Sequence, residues 1–301
     1  MKFGTVLPAV QQMPGTPAWE TAGDPRVLVA VARCADELGY AWVPCSDHVV
    51  VPKPALPTMG ATWYEPATTL AFVAGVTQRL RLLSHVLILP YHSPFDVAKQ
   101  YATLDRLSGG RVILGVGTGH LRREFQALGA DYVERGAVTD EAIRVIDALW
   151  TQEEASLASK RYSFEGLYLA PRPLQQPRPP IWVGGNSRRA ARRAAELGDG
   201  WVPWEVTPEG VRDRLEYVQR LGARSTPLEV VVPAGPVEIT ARAVDGARAR
   251  FTGSREQVID DIRAYADAGV TGMTVGFRSR SLEERLEQLE RFAREIAPAF
   301  S

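Results

Sequence analysis

His48, His85, His92 and His120 are the four histidines of this chain, and each ends, breaks or follows an apolar run. Imidazole changes charge near neutral pH, so it serves as an acid, a base or a metal ligand. His48 follows Tyr40–Pro44 together with Ser46 and Asp47. His85, with Ser84, interrupts the run Leu80–Leu89, and His92 comes soon after it. His120 closes the stretch R-V-I-L-G-V-G-T-G-H, Arg111–His120. Zinc held by His48, His85 and His120 is one use of such a set. No H-x-H or H-x-x-x-H spacing supports it. The nearest acidic residue, Asp47, should point opposite to His48 along a strand. No metal site is therefore expected. A thiol pair of Cys45 with His48 is weaker still, because a cysteine buried in a strand is usually inert. His48 is the candidate acid or base, because imidazole titrates near operating pH.

Two glycine clusters offer the other chemistry. Val112–Leu114 is apolar without alternation, which suits a strand covered on both faces. It runs into Gly115, Gly117 and Gly119, where a tight turn or a close ligand is possible. The spacing G-x-G-x-G misses the dinucleotide fingerprint G-x-G-x-x-G by one residue. No second strand with an acidic end follows about 20 residues on. A Rossmann site is therefore not expected. The second cluster, Gly184-Gly185-Asn186-Ser187, lies between a strand and a helix, where free backbone N–H groups can hold an anion. Arg188 and Arg189 occupy that helix's first turn, where the dipole disfavours cations. A bound phosphate would offset this. The alanines of R-R-A-A-R-R-A-A should face the barrel and its arginines the solvent.

These groups need elements to carry them. Strands are expected at Phe3–Leu7, Tyr40–Pro44, Leu80–Leu89, the Arg111 stretch, Ile181–Val183, Gly200–Pro203, Val230–Val232 and Met273–Phe277. Helices are expected from Asp24-Pro25 to Leu38, at Pro66–Thr77, Pro94–Leu107, Leu121–Leu128 and Thr139–Trp150, then from Ser187 to Leu197, and at Pro208–Leu221, Ser254–Ala268 and Leu282–Ile296. Asp24 and Ser254 read as N-caps, and Pro25 as a first helical residue. Residues 9–23 and 49–64 read as loops. The rhythm breaks at about 151–180, an insertion in which Tyr162–Phe164 and Tyr168–Ala170 could pair before a proline-rich strap. Eight strands alternating with helices predict an α/β fold, a (β/α)8 TIM barrel with insertions, as one domain over 1–301, with a doubly wound open sheet as the alternative. In such a barrel all four histidines share the C-terminal rim.

Composition excludes several partners. Lys plus Arg and Asp plus Glu are 35 each, so no basic excess points to nucleic acid or an anionic membrane. Two cysteines make no disulfide framework and suit a reducing cytoplasm. Neither a signal peptide nor a transmembrane stretch is read.

Four ordered motifs carry a resemblance: E-L-G-Y-A-W-V-P-C-S-D-H (37–48), A-K-Q-Y-A-T-L-D-R-L-S-G-G-R-V-I-L-G-V-G-T-G (98–119), P-P-I-W-V-G-G-N-S (179–187) and A-A-E-L-G-D-G-W (194–201). The chain resembles the bacterial luciferase-like monooxygenase superfamily, and within it the coenzyme F420-dependent oxidoreductases. That likeness implies a deazaflavin or flavin on the C-terminal rim. It places Asp47 and His48 near the ring, and His85 and Val86 in a bulge behind it with a non-prolyl cis peptide. It sets Gly117, Thr118 and Gly119 along the ribityl side, and Gly184, Gly185, Asn186 and Ser187 at the phosphate. FMN-using luciferases tend to carry arginine at the place of Thr118, so F420 is expected and FMN is the alternative. Sugar-phosphate dehydrogenases of that branch resemble G-V-G-T-G-E, where this chain has His120, which points away from sugar phosphates. A protonated His120, or backbone donors, could stabilise charge on the reduced ring. The expected activity is hydride transfer between F420 and a small organic substrate. The alternatives are an FMN-dependent monooxygenase and a non-catalytic flavin-binding barrel. A homodimer is expected, with a small molecule as the only other partner. Trp63, Tyr64 and the insertion could shape the substrate pocket.

Overall fold

Eight parallel strands follow one another round a barrel in a computed structural model that describes residues 1–222 and 226–301. They are β1 (Lys2–Thr5), β2 (Trp42–Cys45), β3 (Arg81–Ser84), β4 (Val112–Gly117), β5 (Ile181–Gly184), β6 (Gly200–Val202), β7 (Glu229–Ile239) and β8 (Gly272–Phe277). From β1 the hydrogen-bonded order runs through β8, β7, β6, β5, β4 and β3 to β2. Ala41 N then donates to Phe3 O at 2.7 Å, which brings β2 back beside β1. The helices between and after the strands are α1 (Pro25–Glu37), α2 (Pro66–Ala74), α3 (Pro94–Ser108), α4 (Arg135–Thr151), α5 (Arg188–Leu197), α6 (Pro208–Leu221), α7 (Arg255–Ala266) and α8 (Leu282–Glu295). This is the expected (β/α)8 barrel. Among the described residues no helix is long and apolar enough to cross a membrane.

Local sequence explains the helix ends. Asp24 accepts from Arg26 N at 2.9 Å with Pro25 at the first helical position. Ser254 and Gln257 complete a capping box at α7. Gly109 closes α3 with φ 73°, a conformation that glycine adopts without penalty.

The barrel interior is filled from alternate strand positions. Trp42, Leu83, Ile113, Trp182, Val202 and Val231 form a buried cluster of their own, one residue from each of β2 to β7. Trp42 and Trp182 meet edge to face at 5.5 Å, and Trp42 Nε1 donates to Thr274 Oγ1 at 2.8 Å. Two indoles fit only because the facing positions are small. A Cβ on Gly272 would lie 2.5 Å from Trp42 Cη2. Gly272→Ala is therefore expected to lose about 1–3 kcal/mol of stability, the usual cost of overpacking a rigid core. Denaturant unfolding measures this, and an unchanged midpoint would show that the Trp42 ring gives way freely.

Several expected elements differ. The long third strand is two pieces, β3 and a short Leu87–Ile88 segment that pairs with β4. The seventh strand is longer than Val230–Val232 and runs on to Ile239. Residues 9–23 and 49–64 are not wholly irregular, because Gln11–Gln12 pairs antiparallel with Thr62–Trp63. In the insertion, Ala155–Ala158 pairs with Ser163–Leu167, in place of the pairing of Tyr162–Phe164 with Tyr168–Ala170. Such short ladders carry no periodicity that a sequence can display. The arginine face of α5 is also not wholly solvated. Arg188, Arg189 and Arg192 are exposed, but Arg193 is buried, bonding Asp140 and the Gly136 carbonyl.

Candidate active site

The C-terminal ends of β2, β3 and β4 bring three of the histidines to one mouth. β2 delivers Asp47 and His48 in succession, and their side chains take different partners. Asp47 is buried and accepts from Ile88 N at 2.9 Å and from the His92 ring at 2.8 Å. It therefore fixes the segment just after β3. His48 turns to Glu124, with Nδ1 2.8 Å from Oε2.

Glu124 was not among the expected site residues. It sits in the short helix Arg122–Ala127 and is fully buried. Its Oε1 accepts from Val49 N at 2.9 Å and Val50 N at 3.2 Å, and its Oε2 also accepts from Tyr91 OH at 3.1 Å. Burial alone would raise its pKa. The bonds from His48, Val50 N and Tyr91 outweigh burial and hold the carboxyl below its ordinary range. An ionised carboxylate only accepts, so the shared proton belongs to His48 Nδ1. In the neutral ring Nε2 is then the basic nitrogen. A buried carboxylate that sets the tautomer of an imidazole is the arrangement of a general base.

Two rings flank His48. Trp63 meets it edge to face at 4.5 Å, and His120 lies at 5.9 Å, nearly perpendicular. Trp63 Nε1 is buried without a hydrogen-bond partner among the described residues. The Gln11–Gln12/Thr62–Trp63 ladder is what holds that indole over the rim. His120 is exposed, and its pKa is lowered by desolvation and then by His48, with Glu124 opposing them. It is therefore neutral at neutral pH. In that form the ring can donate one hydrogen bond but supplies no full charge.

The His85–Val86 peptide is cis, as the resemblance implied. Desolvation holds the His85 imidazole neutral by pushing its pKa down to about 4. Its side chain makes no hydrogen bond to the described residues. Val86 explains two of the glycines. A Cβ on Gly117 would lie 2.5 Å from Val86 Cγ2, and one on Gly184 would lie 2.8 Å from Val86 Cγ1. These glycines make room for Val86, so packing accounts for them before any ligand does. Thr118 and Gly119 follow at the partly exposed lip, Gly119 with φ 72°.

The phosphate candidates lie at the start of α5. Ser187 Oγ accepts from Ala190 N at 3.1 Å and so caps the helix. Asn186 is tied to Trp204, whose N–H donates to Asn186 Oδ1 at 2.7 Å. Gly185 N donates to Val202 O at 3.2 Å. Arg188 lies 3.8 Å from Asp213 and above the Tyr217 ring. Its place in the first turn is thus answered by a carboxylate of α6 and does not require a phosphate. Cys45 is buried, with its thiol pushed up to about 12 by burial, which leaves it inert. Among the described residues no three or more His, Cys, Asp or Glu side chains group to hold a metal ion.

The residues at the mouth fit a flavin-like ring. The indole N–H of Trp63, the neutral imidazole of His85 and Nε2 of His48 are hydrogen-bonding groups without partners among the described residues, and Val86 adds an apolar surface packed over Gly117 and Gly184. A parallel barrel with such a rim defines the class of (β/α)8 enzymes that work at the C-terminal face. The chain belongs to the luciferase-like monooxygenase family, whose profile matches residues 1–243. It is similar to an uncharacterized protein of Mycobacterium tuberculosis, 30% identical over 297 residues, covering 92% of this chain and 96% of that one. Among solved structures it is similar to the coenzyme F420-dependent tetrahydromethanopterin reductase of Methanopyrus kandleri, with TM-score 0.77 and 16% identity over 100% and 99% of the chains. It is equally similar in fold to the oxygenating constituent of 3,6-diketocamphane monooxygenase of Pseudomonas putida, a complex with FMN, with TM-score 0.76 and 17% identity over 99% and 98%. The protein is thus a luciferase-like enzyme of the oxidoreductase and monooxygenase type, and its neighbours in fold include an F420-dependent reductase and a monooxygenase in complex with FMN.

Proposed function

We propose that this protein transfers a hydride between F420 and a small organic substrate. The observation that carries the reading is the His48–Glu124 pair. Oxidising an alcohol by hydride loss leaves a hydroxyl proton to be removed, and reducing a carbonyl requires one to be added. An imidazole oriented by a buried carboxylate performs either task, the neutral ring taking the proton at Nε2 and the imidazolium giving it back. The cofactor, when bound, supplies the hydride chemistry. The chain's own residues orient it and move the proton. His48 Nε2 takes or gives the proton. Neutral His120 and the Trp63 indole N–H are donors for an oxygen acceptor on ring or substrate. Thr118 supports F420 over FMN through the resemblance, since luciferases that use FMN tend to carry arginine there.

Catalysis with FMN is the second reading. The Pseudomonas putida monooxygenase complex with FMN favours it, because its barrel superposes as well as the F420-dependent one. Parallel titrations of the apoprotein with F420 and FMN separate the two. Tighter binding of F420 is expected. Binding of FMN alone would replace the first reading with the second.

In this reading the cofactor's phosphate sits at Gly184–Ser187. The N–H groups of Arg188 and Arg189 begin α5 and have no acceptor within the helix. Ser187→Asp preserves the N-cap, because aspartate caps as well as serine. It also puts a carboxylate beside those N–H groups. Cofactor affinity should fall by about 10-fold or more with little change in stability. Equal affinity in a binding titration would move the phosphate elsewhere.

A further inference from the structure

The opposite face of the barrel holds a cavity of about 650 Å³. It lies among the N-terminal ends of the strands, lined by Lys2, Trp42, Arg79, Arg81, Gln175 and Trp182 among others. In (β/α)8 enzymes this face ordinarily serves stability. A volume of this size is that of a small-molecule site.

The chemistry of its walls is one-sided. Arg178 is paired with Asp147 and Asp199, and Lys2 is 3.9 Å from Glu229. Both carboxylates that line the cavity, Asp199 and Glu229, are engaged further: Asp199 accepts from Ile181 N and Glu229 from Thr271 Oγ1, each at 2.8 Å. Arg79 and Arg81 differ. Neither has a carboxylate within salt-bridge distance among the described residues. Arg79 Nη2 donates to the backbone Asp36 O at 2.8 Å. Among the described residues Arg81 Nη2 reaches only Gln175 Oε1 at 3.4 Å and Val112 O at 3.5 Å, both long, with the charges of Glu229 and Asp105 acting on it from beyond salt-bridge distance. A third donor is buried and unused. Trp182 is 2% exposed, and its Nε1 has no partner among the described residues. Trp42 is equally buried but spends its N–H on Thr274. Unsatisfied buried donors are uncommon and call for a partner.

We propose that this cavity binds a small organic anion with a planar apolar body. Arg81, aided by Arg79, takes the anionic group. Trp182 Nε1 donates a further bond, and the two indoles floor the apolar part. Two unpaired guanidiniums select for negative charge. The aromatic floor selects for a body beyond the charge, so inorganic phosphate alone is a poor occupant. The site is independent of the catalytic rim, and its occupancy does not depend on which cofactor binds there.

The test uses the full chain and three probes: benzoate, benzamide and inorganic phosphate. Calorimetric titration should show saturable benzoate binding, with benzamide and phosphate each weaker by at least about 10-fold, the scale of one charge-assisted hydrogen bond. Arg81→Gln should weaken benzoate by a similar factor and reduce the rise in melting temperature that a given benzoate concentration produces. Trp182→Phe keeps the floor, removes the N–H and should weaken benzoate by roughly 3-fold or more. If Arg81→Gln fails to fold, Arg79→Gln at an exposed position replaces it with the same expected direction. Absent benzoate binding, equal binding of benzamide or of phosphate, or unaltered benzoate affinity in the arginine variant would each overturn the proposal.

Discussion

Replacing Glu124 with glutamine is expected to lower turnover about 10²-fold or more, on the scale of general acid–base catalysis, while the protein stays folded. The amide carbonyl of the new side chain can still accept from Val49 N and Val50 N, where Glu124 Oε1 accepts now. The change falls on the other side of the group. Where Oε2 now accepts from His48 Nδ1 at 2.8 Å, an amide NH₂ would donate. His48 Nδ1 must then become the acceptor, and the ring proton moves to Nε2. The nitrogen facing the mouth is no longer basic. Nitrogen NMR of His48 reads this directly, with Nδ1–H in the wild type and Nε2–H in the variant. A slow variant with an unchanged tautomer would mean that Glu124 acts only as a scaffold.

His48→Ala should lower turnover by about 10²-fold or more and leave cofactor affinity nearly unchanged. The truncation deletes the proton carrier and leaves a cavity beside Trp63 and His120. Glu124 loses one of its donors but keeps two backbone amides and Tyr91. Free imidazole in the assay should restore part of the rate, because it fits the space the ring vacated. Full turnover of a proven substrate by the variant would remove His48 from the mechanism. Weakened cofactor binding at unchanged turnover would make it a binding residue.

The barrel was legible because parallel strands buried on both faces read as short apolar runs, and eight of them alternate with capped helices. The break at Ser84-His85 was legible for the opposite reason, a polar pair inside an apolar run. The partner of His48 was not legible. Glu124 lies 76 residues away in the chain, within R-R-E-F, which reads as an ordinary polar helix turn. Its one local signal was position: a carboxylate four residues after His120, in a helix that starts at the rim. Arg193 was misread likewise, since periodicity gave it to the solvent face and only α4 explains its burial against Asp140 and Gly136. The glycines at the ends of β4 and β5 showed that something comes close. They did not show that Val86, from the break after β3, comes first. Long-range pairing is invisible to a single chain's local pattern, and both site carboxylates, Asp47 and Glu124, act through it.

The proposed reaction is hydride transfer without oxygen, with His48 handling the proton. Anaerobic incubation of the F420-loaded protein with a panel of small alcohols, followed by the visible absorbance of the deazaflavin, tests it most directly. Bleaching of the cofactor by at least one alcohol is expected with oxygen excluded, and at least about 10²-fold slower bleaching in Glu124→Gln. Turnover that requires reduced FMN and molecular oxygen, with F420 inert under both conditions, would contradict it.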